Sequence, residues 1–151
     1  FILKRELQWI PLFGWFTIKG RMIPVNRDAG KAGLIAMNEL ASKELASGRQ
    51  IVIFPEGTRR PAGAEPRYKY GIMHLYQAAG VPCLPIALNS GLFWRRRSIL
   101  KQPGTVIVEV LDPIPPGLDG EAFMTRLQHD LEAATNRLIE EGRRDLASRL
   151  R

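Results

Sequence analysis

Ile51-Val52-Ile53-Phe54-Pro55-Glu56-Gly57-Thr58-Arg59 decides how this chain is read. Four consecutive apolar residues have the length and composition of a short buried strand. Pro55 cannot donate to a ladder and Gly57 permits a tight turn, so the strand stops there. A carboxylate, a hydroxyl and a guanidinium follow, and the end of a core strand is where open α/β sheets place their chemistry. Arg59 offers a fork of donors that matches phosphate, and backbone N–H groups around Gly57 can add to it. The segment is expected to be an anion site.

Residues 21–25 read as another short strand, and Arg27 follows it as Arg59 follows the first. Two guanidiniums at neighbouring strand ends are expected to grip one phosphate from two sides. Glu56 has three readings: orienting Arg59, contacting a substrate hydroxyl, or acting as a base. Arginines beside it favour an ionised carboxylate and hence orientation. Thr58 either joins the site or caps the turn, and Lys69 either adds charge to the pocket or faces solvent.

Apolar spacing predicts helices over about 31–47, capped by Asp28 and carrying Leu34, Met37, Ala41 and Leu45, and over about 71–79 with Ile72, Leu75, Tyr76 and Ala79. A third runs from about 120 to 142, with Phe123, Leu127, Leu131, Ala134 and Leu138 three or four apart. Strands are expected at 83–88 and 105–111. Residues 60–67 read as an exposed loop. Pro11 and Gly14 break residues 1–18, which read as a packed loop or two short turns. Strands alternating with helices predict an α/β fold, a mostly parallel or mixed central sheet flanked by helices, in a single domain over 1–151.

Composition narrows the class. The chain is 45% hydrophobic and 25% charged, which is ordinary globular material. Its single cysteine, Cys83, cannot form an internal disulfide, so a core must hold the fold, and a reducing compartment is expected. No apolar run approaches the roughly 20 residues of a spanning helix. A net charge of +7 favours an anionic partner, nucleic acid or an acidic lipid surface. Trp94 followed by Arg95-Arg96-Arg97 and Lys101 reads either as a membrane-headgroup contact or as a solvated basic loop. His74 lacks an orienting acid at helical spacing, and adjacent His129 and Asp130 are expected to point apart, so neither histidine is expected to be a general base. No metal-ligand spacing, glycine-rich nucleotide loop or Ser-His-Asp arrangement is visible.

Phe54-Pro55-Glu56-Gly57-Thr58-Arg59 resembles the signature of the 1-acyl-sn-glycerol-3-phosphate acyltransferase (PlsC-like glycerolipid acyltransferase) family. Gly20 through Arg27 resembles that family's preceding substrate-binding block. Lys4-Arg5-Glu6-Leu7 with Pro11 and Gly14 resembles its Lys-x-Glu-Leu stretch, Lys69 and Gly71 its Lys-x-Gly element, and Val81 through Leu88 its later apolar block. The family's His-x-x-x-x-Asp motif does not occur in this chain: Ala79 stands five places after His74, and Ala134 five after His129. The expectation is that the motif, with any membrane-anchoring segment, precedes Phe1.

The resemblance implies transfer of a fatty acyl group from acyl-CoA or acyl carrier protein to lysophosphatidate, giving phosphatidate in phospholipid biosynthesis. The upstream histidine and aspartate would be catalytic, and Arg27, Glu56, Gly57, Thr58, Arg59 and Lys69 would bind substrate. No metal or cofactor is implied. An anionic membrane surface is the expected partner, at the cytoplasmic face of a bacterial inner membrane. Two alternatives stay open: an acyltransferase for another lyso-lipid, such as lyso-ornithine lipid, and a basic nucleic-acid-binding domain. The second is supported by charge but lacks a recognised binding module.

Overall fold

The computed structural model describes residues 1–95 and 98–149, apart from the side chain of Arg27. Its backbone packs as two compact units, Phe1–Pro55 with Tyr70–Gly80, and Glu56–Lys69 with Val81–Arg151.

In the first unit, β1 (Ile2–Lys4) pairs in parallel with β2 (Ile23–Val25), Ile2 opposite Ile23 and Lys4 opposite Val25. A parallel pair needs a crossover, which a 3₁₀ turn (Arg5–Trp9) and helix α1 (Phe13–Lys19) supply. The expectation of a loop or two turns over 1–18 therefore needs correcting, because Gly14 lies inside a helix rather than ending one. A Cβ on Gly14 would stand 1.8 Å from the carbonyl oxygen of Gln8, so the bare backbone lets α1 close against the 3₁₀ turn.

Helix α2 (Gly30–Ala46) follows β2 through a short 3₁₀ turn, Arg27–Ala29. Asp28 does not cap α2: it lies inside the 3₁₀ turn, which Asn26 caps by accepting from the Asp28 backbone N–H at 3.1 Å, and Ala29 at the N-cap of α2 offers no side-chain acceptor. At the far end of α2, Glu44 binds both Arg21 (2.8 Å) and Arg49 (2.5 Å), and Arg49 also donates to the Gly20 carbonyl. Helix α3 (Gly71–Ala79) matches its expected span and buries Ile72, Leu75 and Tyr76.

Ile23, Met37, Ala41 and Leu75 form this unit's core, with Ile51 and Ile53 packed against it. The stretch 51–54 is not a fully buried strand as expected. Only alternate residues face inward, while Val52 is 39% and Phe54 60% exposed. It runs extended beside β1, and the Val52 carbonyl accepts from the Ile2 N–H at 3.0 Å.

In the second unit, β3 (Ile86–Leu88) pairs antiparallel with β4 (Val108–Val110), Ala87 opposite Glu109. The expected strands at 83–88 and 105–111 are trimmed to three residues each, although an antiparallel bridge joins Cys83 to Ile114 further along. Cys83 is half-buried, and burial pushes its thiol pKa up.

Helix α4 (Ser90–Phe93) follows β3, and α5 (Gly120–Arg149) closes the unit. Asp119 caps α5 by accepting from the Glu121 and Ala122 N–H groups. All five expected core positions of α5 are buried, but it continues past Gly142 to Arg149. The continuation is held where Leu146 joins Leu92, Phe93 and Ile139. Fully buried Asn89 ties the unit together, accepting from the Ile107 N–H at 2.9 Å and donating to the Leu138 carbonyl at 3.4 Å.

The expected α/β class with a mixed sheet flanked by helices is thus present, as one parallel and one antiparallel pair.

Candidate functional site

Glu56, Gly57, Thr58, Arg59 and Lys69 all lie on the segment Glu56–Lys69, within the second unit. Gly57 adopts φ of +64°, a left-handed conformation that suits glycine and reverses the chain just after Pro55. The turn separates the charged side chains that follow. Glu56 turns inward to a half-buried position, whereas Thr58 and Arg59 are exposed.

The carboxylate of Glu56 meets Arg60, Nε to Oε1 3.7 Å, and not Arg59 as the orienting role anticipated. That distance is an ion pair but too long for a hydrogen bond, and the buried Arg60 Nε has no hydrogen-bond partner among the described residues. Arg60 was not singled out in the sequence, although its place four residues after Glu56 is a readable signal.

Burial raises the Glu56 pKa, opposed by a hydrogen bond from the Arg67 backbone and the charge of Arg60, and reinforced by the charge of Glu132. The sequence argued for the opposite direction because neighbouring arginines would hold it down; the half-buried setting outweighs them. A carboxyl raised in the fold favours folding below its unfolded pKa and loses that contribution as pH rises through the folded value. Thermal melts of Glu56→Gln and wild type from about pH 3.5 to 7 therefore separate: the variant gains on wild type as pH rises. A constant difference across that range would show that Glu56 feels no net burial cost.

Glu132, on α5, anchors the other end of the segment by accepting from the Tyr68 hydroxyl at 2.8 Å. Burial first, then that bond and the charges of Glu132 and Glu56, push the Tyr68 phenol far above its ordinary pKa, so it stays a donor. Nothing local marked Glu132, because it acts across 64 residues of sequence.

Arg59 lies over the face of Trp94, guanidinium carbon 5.7 Å from the ring centroid, and Lys101 lies over the same ring at 4.6 Å. An indole holding two cations gathers positive charge at the exposed end of the segment. Lys69 is exposed. Arg27 belongs to the first unit, and the expectation for its side chain falls outside the described residues, as do those for Arg96 and Arg97.

The histidines stand apart from this segment in sequence. His74 is exposed on α3. His129 Nδ1 is 3.1 Å from Asp130 Oδ1, so the two side chains do meet, contrary to the spacing argument. Asp130 also binds Arg126, whose hydrogen bond is the main reason its pKa is lowered, with His129 contributing. The His129 side chain is 79% exposed, as a solvated surface pair would be.

Comparison with known proteins extends this picture. The family profile described as Acyltransferase matches residues 1–89. The chain is 33% identical over 140 residues to a 1-acyl-sn-glycerol-3-phosphate acyltransferase of Pseudomonas aeruginosa, an alignment covering 93% of this chain and 54% of that protein. It is 31% identical over 147 residues to the human 1-acyl-sn-glycerol-3-phosphate acyltransferase alpha, covering 94% of this chain and 52% of the other. The crystal structure of the 1-acyl-sn-glycerophosphate acyltransferase PlsC from Thermotoga maritima aligns with a TM-score of 0.66 at 25% identity, over 93% of this chain and 55% of that one. The chain spans about half the length of these curated relatives.

Proposed function

The chain belongs to the acyltransferase family, and on that premise we propose that it is the acceptor-binding part of an enzyme acylating lysophosphatidate from acyl-CoA or acyl carrier protein. The observation that carries this reading is the split made at Gly57. The segment's acid is drawn inward to Arg60, while Arg59 is left at the surface beside Trp94 and Lys101. A fork of donors in a cationic setting suits a phosphate monoester. The names of the relatives point to the same acceptor.

In this reading Arg59 and Arg27 are the phosphate-binding cations, Lys69 adds charge, and Glu56, with Gly57 and Thr58, shapes the turn that presents Arg59. The whole of 1–151 serves as a single acyltransferase domain working at the cytoplasmic face of a membrane. By resemblance, a histidine held by an aspartate in sequence preceding Phe1 takes the proton of the acceptor's free hydroxyl. The oxygen then attacks the thioester carbonyl, the carbon–sulfur bond breaks, and the imidazolium returns the proton to the departing thiolate. No acyl-enzyme forms.

The test is acyl transfer to lysophosphatidate by the 151-residue chain and by a protein extended upstream through the histidine–aspartate motif. The extended protein is expected to turn over, and the chain alone to be slower by about a thousandfold, the scale of a missing general base. Equal turnover would overturn the placement of the base. Preference for lyso-ornithine lipid, which has no phosphate, would overturn the acceptor.

A further inference from the structure

Helix α1 is amphipathic in the wrong sense for a water-facing helix. It buries its small residues, Gly14 and Thr17, with the Thr17 hydroxyl donating to the Gly14 carbonyl at 2.7 Å. Its large residues point outward: Trp15 is 55% exposed, Phe16 62% and Ile18 61%. The approach to the helix continues the surface, with Trp9 79% and Leu12 77% exposed. Scattered exposed hydrophobics are common, but a contiguous set on one short helix and its lead-in marks an interaction surface.

The backbone supports the same conclusion. Leu12 adopts φ of 64° and ψ of −55°, and the Phe13 N–H donates to the Pro11 carbonyl at 2.7 Å, which makes a γ-turn of the rare positive-φ kind. A leucine held in a strained turn with its side chain in solvent is a conformation retained for something other than core packing.

The chemistry of the face selects its occupant. Residues 1–21 carry four basic side chains, Lys4, Arg5, Lys19 and Arg21, against the single acid Glu6. Lys4 is paired with Glu6 and Arg21 with Glu44, so the cation set against the apolar face is Lys19. The Lys19 ammonium lies 3.9 Å from the centroid of the Trp15 ring, and Trp15 packs edge-on to Phe16. Tryptophan beside lysine at the margin of an apolar face matches a bilayer interface, where indole sits at headgroup level and the cation meets lipid phosphate. With seven residues α1 is far too short to cross a bilayer, so contact through it lies in the plane of the surface.

We propose that Trp9, Leu12, Trp15, Phe16 and Ile18 insert into the interface of an anionic bilayer, with Lys19 on its headgroups. This docking surface extends the lipid-acceptor reading above and rests on it for its biological sense, but its evidence is separate.

The experiment is co-sedimentation of the chain with vesicles of phosphatidylcholine alone or mixed equally with phosphatidylglycerol, without substrate. Wild type is expected to bind the mixed vesicles. Trp15→Ser with Phe16→Ser is expected to lower the partition coefficient about tenfold, with unchanged circular dichroism. Trp9→Ser with Leu12→Ser provides a second pair if the first fails to fold. In a Trp9→Phe, Trp94→Phe variant, Trp15 is the remaining tryptophan, and brominated lipid is expected to quench it. Failure of wild type to bind, full binding by both double variants, or an unquenched Trp15 overturns the proposal. Self-association that is lost in the double variants, without vesicle binding, assigns the face to a second copy and overturns it equally. If a protein extended upstream acylates lysophosphatidate in detergent while the chain ignores vesicles, this inference alone is sunk; vesicle binding by the chain with no transfer by the extended protein sinks the functional reading alone.

Discussion

Gly14→Ala is expected to cost about 3 kcal/mol or more of folding stability, a larger effect than any surface substitution in the chain. The added methyl would meet the Gln8 carbonyl oxygen at 1.8 Å, and its carbonyl carbon at 2.6 Å. These are backbone atoms, so no rotamer change relieves the clash. Either α1 moves away from the 3₁₀ turn, or the turn opens. Helix propensity works the other way, since alanine favours a helix over glycine by up to about 1 kcal/mol, but that gain is smaller than the displacement cost. For a chain of this length the net loss corresponds to a melting temperature lower by roughly 10 °C. A melt within about a degree of wild type would mean that α1 does not sit against Gln8. The variant also matters for the membrane proposal, because the same close approach turns Trp15 and Phe16 outward.

Parts of this molecule are legible in the sequence because local and tertiary demands agree there. Helices α3 and α5 announce themselves: Ile72, Leu75 and Tyr76 on one, and Phe123, Leu127, Leu131 and Leu138 on the other, recur at helical spacing and go inward. The Gly57 turn is equally plain, since a proline and a positive-φ glycine bracket it. Helix α1 is illegible for a physical reason. Pattern reading assumes that large apolar residues mark the buried face, and here Gly14 and Thr17 are buried instead. The stretch 51–54 misled in a related way, since a run of four apolar residues reads as buried on both sides, yet Val52 and Phe54 face outward. At the site, the hexapeptide and its turn are local and readable. The Glu56–Arg60 pairing is also local, but the phosphate-matching chemistry of Arg59 masks Arg60 as the acid's partner. The Tyr68–Glu132 bond is tertiary, and no spacing rule reaches across it. The meeting of His129 and Asp130 shows the limit of helix-face arguments: adjacent Cβ atoms diverge, but rotatable side chains on an exposed surface can turn back towards each other.

Arg59→Lys, made in the upstream-extended enzyme, is expected to lower kcat/KM for lysophosphatidate roughly tenfold to a hundredfold, the worth of a lost charge-assisted hydrogen bond to phosphate. KM for the acyl donor should stay where it is. Lysine retains the positive charge and the capacity to rest on Trp94, as Lys101 already does. What it lacks is the planar fork that places two parallel N–H donors on one phosphoryl group. The comparison therefore isolates geometry from charge, and Arg59→Ala, which removes both, should fall further than Arg59→Lys. If Arg59 served only to stack on Trp94, lysine would substitute well and acceptor kinetics would be unchanged. If it acted on the donor's phosphates instead, donor KM would rise and acceptor KM would not. A loss confined to the acceptor, with the melting temperature intact, is the pattern of a phosphate ligand at an exposed turn, since Arg59 is at the surface and its substitution removes no core contact.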